Sequence, residues 1–302
     1  MIISLFKRCF LIAIIVIPLA NASNNKTLQT KPSLIQEKLN KLESSFDGKI
    51  GIYAIDTSNN KILDYRANER FPIQSTMKVI GVAALLKLSE DKDKNFLQEN
   101  INYTKDDLVY WCPVTKNYIS SGMTLESLAE AAVTYSDNTA INVIMKKFGG
   151  PKFATSFAHL IGNKSFNVIH YDGYMNSNPK IVDDTSTPKD MAISIQKLTL
   201  EDALAKPQQQ KLITWMRNTV TSYKTIKAGV PLGWAVADKT GSGDYGVRND
   251  IGIMWSPSCK PIVLAIYTVR NKKEEKSRDD IVASVTGAVF DEFEQYNSCF
   301  KN

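Results

Sequence analysis

Histidine is nearly absent: the 302 residues contain two, His159 and His170. A His-rich metal centre or a Ser-His-Asp triad is therefore not the expected chemistry, since each needs imidazole at the reacting group. Cysteine is scarce too, with four residues and no C-x-x-C pair. Beyond Cys9 near the start, Cys112, Cys259 and Cys299 form an odd set with no metal spacing. A Cys259–Cys299 disulfide is compatible with an oxidising compartment, but sequence does not establish it. Apolar runs of spanning length are missing. The run from Phe10 to Leu19 is about half of the ~20 residues a membrane helix needs. No long internal repeat or low-complexity tract is present, which argues against solenoids and propellers. Charge of one sign does not dominate either: the net charge is +6, and the basic residues are scattered. The tight cluster Arg270, Lys272 and Lys273 is followed at once by Glu274 and Glu275, the pattern of a solvated turn or helix start rather than a nucleic-acid patch.

What is present begins with a leader. Lys7 and Arg8 precede the apolar run, Pro18 breaks it, and Ala20-Asn21-Ala22 fits a small-x-small cleavage site. Residues 1–22 are expected to be a signal peptide, with a periplasmic or secreted mature chain starting near Ser23 and no membrane association after cleavage. Cys9 lies before the apolar core, not after it, which argues against a lipid-modified cysteine. The composition, 43% hydrophobic and 23% charged, is ordinary for a globular protein.

Periodicity orders the mature chain. Ser33 is placed to cap a helix carrying Leu34, Ile35, Leu39 and Leu42. Lys49 to Asp56 and Lys61 to Tyr65 read as a hairpin around Ser58-Asn59-Asn60. From Pro72 to about Met216 the pattern is helical, with Val79 to Leu88 strongly apolar and Thr187-Pro188 marking one helix start. Strands return at Gly233 to Lys239, Asp250 to Trp255 and Pro261 to Val269, before a last helix from about Asp279 to Tyr296. The predicted class is α/β of the α+β kind: an antiparallel sheet flanked by the terminal helices, with an all-helical domain inserted. The sheet domain is expected from 23–66 and 222–302, the helical domain from 67–221. A cleft between them is a natural ligand site.

Ser75-Thr76-Met77-Lys78 is an S-x-x-K, a pattern that recurs from Ser4 to Ser298 and means little alone. Its context is distinctive. Ser75 opens the apolar run from Val79, at a helix N-terminus where backbone N–H groups and the helix dipole favour developing anions. At i and i+3, Ser75 and Lys78 share a face. Ser136-Asp137-Asn138 and Lys239-Thr240-Gly241 each occur once, following Ser75 at separations of 61 and then 103 residues. This order and spacing match the serine penicillin-recognising enzymes. The chain resembles class A β-lactamases in particular. The resemblance also includes Gly122-Met123-Thr124, Gly149-Gly150-Pro151 and the stretch from Asp238 to Arg248, and it covers essentially the whole mature chain.

The resemblance implies roles. Ser75 would be the acylated nucleophile and Lys78 its base or proton relay, helped by neighbouring Lys239, which would depress the Lys78 pKa. Ser136 would carry a proton to the β-lactam nitrogen. Asn138 would bond the substrate's side-chain amide. The amides of Ser75 and Ser242 would form the oxyanion hole. Lys239, Thr240 and Arg248 would hold the substrate carboxylate, with Gly241 also in the binding set and Trp111 at the rim. Asp137 would be structural. No metal and no cofactor are implied, and the partner is a small β-lactam met by a monomer, not nucleic acid. Ser242, Gly243 and Asp244 are compatible with cephalosporins. Gln74 and Gly243 stand where carbapenem-hydrolysing relatives often carry a disulfide, so efficient carbapenem hydrolysis is not expected.

One segment departs from the family. Where a glutamate and proline are usual, the chain has Asp172 and Gly173, in a loop one residue short before Asp184-Thr185-Ser186-Thr187-Pro188. Asn176 is retained and is expected to hold the hydrolytic water. A carboxylate one methylene shorter retreats by about 1 Å, and misplacement of that size costs up to about a hundredfold in rate. His170 replaces the usual arginine partner of Asp184, and would pair well only when protonated, giving a loop looser at neutral than at acid pH. Two other functions share the motifs: a covalent β-lactam binder that acylates and stalls, and a D-alanyl-D-alanine peptidase acting on peptidoglycan.

Overall fold

Ser33 caps α1 (Leu34–Phe46) reciprocally: its hydroxyl accepts the Gln36 N–H, and the Gln36 side chain accepts the Ser33 N–H. The computed structural model describes residues 33–297 and Phe300, so the expected signal peptide, its cleavage site and Cys299 lie outside the described residues. After α1 come the hairpin β1 (Gly48–Asp56) and β2 (Lys61–Tyr65), and the short strand β3 (Phe71–Pro72). A 3-10 turn over Gln74–Thr76 leads into α2 (Met77–Ser89). The strands β4 (Asn100–Ile101) and β5 (Met123–Thr124) pair with each other ahead of α3 (Leu125–Thr134), α4 (Asn138–Lys147) and α5 (Lys152–Leu160). A long loop ends in β6 (Thr185–Ser186), which pairs with β3. Helices α6 (Pro188–Thr199) and α7 (Lys206–Arg217) and the single turn α8 (Ile226–Gly229) precede β7 (Ala235–Gly243), β8 (Val247–Trp255), β9 (Ile262–Arg270) and α9 (Asp279–Glu294).

The main sheet is antiparallel in the order β2-β1-β9-β8-β7. Period-2 alternation sorts its side chains between two cores. Ile50, Ile52, Leu264 and Ile266 face one core with Leu39 and Phe46 of α1 and Val285 and Phe293 of α9. Tyr53, Ile55, Val263 and Tyr267 face the other, shared with α2 and α6. Because both faces are covered, the strands read as nearly continuous apolar runs. Helix α2 is buried from Met77 to Leu86 on every side, so it is a core rod and not an amphipathic surface helix. That burial fixes the orientation of Lys78, which rides on it.

Two sequence expectations shift. Helix α4, expected from its apolar periodicity over Ala140 to Phe148, starts at Asn138 because Asp137 caps it by accepting the Ala140 N–H. Helix α6 starts at Pro188 under the Thr187 cap, the start that Thr187-Pro188 marks in the sequence. Strand β7 runs on to Gly243, where Lys239 was taken as its end. Gly241, Ser242 and Gly243 have little strand propensity, yet they pair with Val247 to Asn249 and lengthen both strands. Lys239-Thr240-Gly241 is therefore inside the strand rather than at its tip. No helix among the described residues is long and apolar enough to cross a membrane. Cys259 is disulfide-bonded and Cys112 is free and half-buried.

Candidate active site

The turn before α2, the α3–α4 junction and β7 converge on one cleft of about 540 Å³. Ser75, Trp111, Ser136, Asn138, Asp172, Thr240, Gly241, Ser242 and Arg248 all line it. Lys78 and Lys239 reach its floor from beneath, and both are fully buried.

Lys78 is the hub. Its Nζ lies 2.6 Å from Ser75 Oγ, 2.8 Å from Asn138 Oδ1 and 3.4 Å from Ser136 Oγ. It also stands 2.6 Å from Asp172 Oδ2, an ion pair by distance without the alignment of a hydrogen bond. Lys239 Nζ donates to Ser136 Oγ at 3.0 Å and to its neighbour's carbonyl, Thr240 O, at 2.8 Å. Ser136 is thus reached by both lysines. Burial lowers the pKa of Lys78, while the nearby carboxylates of Asp172 and Asp137 oppose that fall. Lys239 is held well below the usual lysine range by burial first and by the Lys78 charge second. A buried lysine with a depressed pKa is ready to act as an amine, whose lone pair accepts a hydroxyl proton.

Local structure puts these groups in place. Ser136 and Trp111 hold left-handed backbone, at φ 58° and 62°, as do Gln74 and Asp184, at φ 48° and 55°. Such strain costs about 1–3 kcal/mol per residue and persists only where surrounding contacts over-determine it. Asp137 supplies many of those contacts. Its carboxylate accepts N–H groups from Val114, Thr115 and Ala140 together with the Thr115 hydroxyl. Asn138 ties in the rim: its Nδ2 donates to Tyr110 O at 2.7 Å and its N–H donates to Trp111 O at 3.0 Å. Trp111 Nε1 donates to Tyr135 O, leaving half the indole exposed at the cleft mouth. Gly241 lets β7 pass close to the nucleophile, since a Cβ there would stand 2.9 Å from Ile73 O and 3.2 Å from Ser75 N.

Arg248 lies along the rim of β7 and β8. Its guanidinium donates to Ser242 Oγ and Thr221 O, and its Nε contacts Asp279 at the start of α9. Thr221 Oγ1 also meets Thr240 Oγ1 at 2.6 Å.

The loop side is built differently. Asp172 is buried against Lys78, and its Oδ1 accepts the Gly173 N–H at 2.8 Å. Gly173 has φ 88°, open to glycine at little cost and strained for other residues, although a Cβ would meet nothing closer than 3.5 Å. Conformation, not space, asks for glycine there. The Asp172 backbone is gripped by Asn142, which accepts its N–H at 2.8 Å and donates to its carbonyl at 2.9 Å. Asp184 anchors the loop: it accepts the N–H groups of Ile169, His170 and Asn176, and its Oδ2 lies 2.7 Å from His170 Nδ1.

Asn176 is the site residue the structure does not bring to the cleft. Its Nδ2 donates to the carbonyls of Asn178 and Asp183, and its Oδ1 accepts the Asn178 N–H. The side chain is spent on folding the loop, and Met175 and Ser177 line the cleft beside it. Asn142, Thr221 and Asp279 were not singled out from sequence. Asn142 carried a usable signal, since it follows Asn138 by one helical turn and so shares its face. Thr221 and Asp279 carried none, being brought in by the return of the chain.

A helical lobe on an antiparallel sheet, with Ser75 at a helix N-terminus beside buried Lys78 and with Ser136 between Lys78 and Lys239, has the make-up of a serine acyl-transfer hydrolase. Comparison with known proteins narrows that class. The chain belongs to the β-lactamase enzyme family, whose family model matches residues 34–293. It is 41% identical over 280 residues to the β-lactamase of Bacillus licheniformis, covering 90% of each chain. It is also 41% identical over 283 residues to the carbapenem-hydrolyzing β-lactamase KPC of Klebsiella oxytoca, covering 93% of this chain and 95% of that one. The crystal structure of a β-lactamase from Desulfarculus baarsii DSM 2075 superposes with a TM-score of 0.84 at 36% identity, covering 86% of this chain and 97% of that one.

Proposed function

We propose that the protein hydrolyses β-lactam rings through an acyl-enzyme on Ser75. The observation that carries this reading is the Nζ of fully buried Lys78 at 2.6 Å from the Oγ of Ser75, which lines the cleft. Neutral Lys78 takes the hydroxyl proton as Oγ bonds to the ring carbonyl carbon. The amides of Ser75 and Ser242 receive the oxyanion. As the ring C–N bond breaks, the nitrogen takes a proton from Ser136, which regains one from the Lys78 ammonium. Thr240, Ser242, Lys239 and Arg248 hold the substrate carboxylate. In the second half, a water oxygen attacks the ester carbon and Asp172 accepts the water proton; as the ester C–O bond breaks, Ser75 Oγ takes a proton from Lys78, which regains one from Asp172.

The N-terminal Lys7-Arg8 and apolar run support a secreted or periplasmic site of action. A second reading, a binder that acylates and stalls, draws support from Asn176, whose amide is committed to the loop, and from the direct contact of Asp172 with Lys78.

Excess chromogenic cephalosporin, followed for product and by intact mass, separates these. Many turnovers with loss of all adduct and product in Ser75→Ala are expected. A stoichiometric burst with a lasting adduct would establish the binder, cleavage of a D-Ala-D-Ala peptide the peptidase. Turnover by Ser75→Ala would sink the acyl-enzyme reading.

A further inference from the structure

We propose that Gln74 is a positioning residue for release of the acyl group: its side-chain amide sets how deeply the 165–186 loop sits beside Ser75, and with it the reach of Asp172. The proposal rests on the acyl-enzyme reading above.

Gln74 immediately precedes the nucleophile, is buried, and holds φ 48°, a conformation that glutamine seldom adopts. From there its Nε2 donates to Asn176 O at 2.7 Å and to Ser177 Oγ at 3.0 Å, so both amide hydrogens go to the loop. Strand β7 closes the junction from the far side. A Cβ on Gly243 would stand 2.5 Å from Ser177 Oγ and 2.9 Å from Gln74 Cδ. The nucleophile turn, the loop and the strand edge therefore meet with no room to slide. Asn142 grips the loop at Asp172 and Gln74 grips it at Asn176 and Ser177. The two amides bracket the segment that carries the short carboxylate.

Attack and release should respond differently to this linkage. The contacts among Ser75, Lys78, Ser136 and Lys239 include no atom of Gln74. Release depends on the Asp172 carboxylate reaching a water at the ester. A short side chain in a loop with glycine at 173 has no reserve of reach, so loop depth becomes limiting.

The test uses the full-length mature enzyme with a chromogenic cephalosporin. Gln74→Met keeps length and removes both donors, and Gln74→Glu keeps shape and replaces the donors with acceptors. Acylation is read by stopped flow and adduct decay by intact mass. In both variants adduct lifetime is expected to lengthen roughly tenfold while the acylation rate stays within about twofold. Steady-state kcat and KM then fall together. Gln74→Asn, which keeps the amide but loses a methylene, should fall between. If Gln74→Met fails to fold, the isosteric Gln74→Glu decides alone. Equal slowing of acylation and release, or unchanged adduct lifetime, overturns the proposal. Absence of any Ser75 adduct in the unmodified enzyme instead overturns the acyl-enzyme reading on which it rests.

Discussion

The two halves of the cleft are built from different materials. Ser75, Lys78, Ser136 and Lys239 sit at helix starts and on the edge strand β7, linked through Lys78 and Ser136, with all but Ser75 buried. Asp172, Gly173, Asn176 and His170 sit on a loop without regular structure, held by side chains that reach into its backbone. Regular elements tolerate little change in position, whereas a loop can lose a residue and refold around new contacts. The nucleophile side therefore matches the family's motifs, and the departures gather on the side assigned to release. On the proposed mechanism, attack and release are separable because different kinds of structure position them.

The largest expected break in that comparison comes from Asp172→Asn. It should leave Ser75 able to acylate and slow release by about a hundredfold or more, since general-base catalysis contributes ~10²–10⁴ in rate. A persistent adduct seen by intact mass would check it, and fast turnover by Asp172→Asn would remove Asp172 from the release step. The same variant carries a pH prediction. The Asp172 carboxylate raises the Lys78 pKa against the stronger lowering by burial. Without it the Lys78 pKa falls further. Lys78 acts when deprotonated, so the acid limb of the acylation rate should move to lower pH, measurable by stopped flow across a pH series. A shift to higher pH would contradict Lys78 as the base.

Next in size is Arg248→Ala. The guanidinium joins Ser242, Thr221 and Asp279 at the rim. Its loss should lower kcat/KM by roughly tenfold for carboxylate-bearing β-lactams, chiefly through KM. Arg248→Lys should recover only part of this, because an ammonium cannot reproduce the fork that contacts all three. Equal kinetics for the unmodified enzyme and Arg248→Ala would assign the residue to packing.

How much of this was legible in sequence follows the same division. The sheet strands and most helices could be read from periodicity, because both sheet faces and α2 from Met77 to Leu86 are buried and burial leaves an apolar record. Ser75, Ser136 and Lys239 could be read from motif order. The helix start at Pro188 was legible from its Thr-Pro cap, whereas the start at Asn138 lay two residues before the apolar periodicity, since first turns are polar and carry caps instead. The extension of β7 to Gly243 was missed because backbone pairing, not side-chain type, sustains it. In the loop, Asp172 lies in the cleft as the sequence placed it, but Asn176, expected to face the hydrolytic water, does not. That side chain turns inward to satisfy loop carbonyls, a choice made by three-dimensional closure.

The smallest expected effect concerns His170. Its replacement of the family's arginine suggested a loop whose hold depends on imidazole charge. The structure supplies a competing anchor: Asp184, fully buried, already accepts three backbone N–H groups from the loop. The imidazole bond at 2.7 Å is the outermost of its contacts, and the His170 side chain is 46% exposed. With one partner half-exposed the imidazole contact is screened by solvent, whereas three backbone N–H groups left without a buried carboxylate each lose a partner. His170→Asn should thus change adduct lifetime by less than about threefold, and Asp184→Ala should change it far more. Amide exchange across residues 168–186 gives the same comparison without chemistry. If exchange there rises steeply from pH ~5.5 to ~8 beyond its intrinsic increase, imidazole charge governs the loop. If it follows the intrinsic rate, the three backbone bonds to Asp184 suffice, and the loop's freedom resides near Gly173 instead.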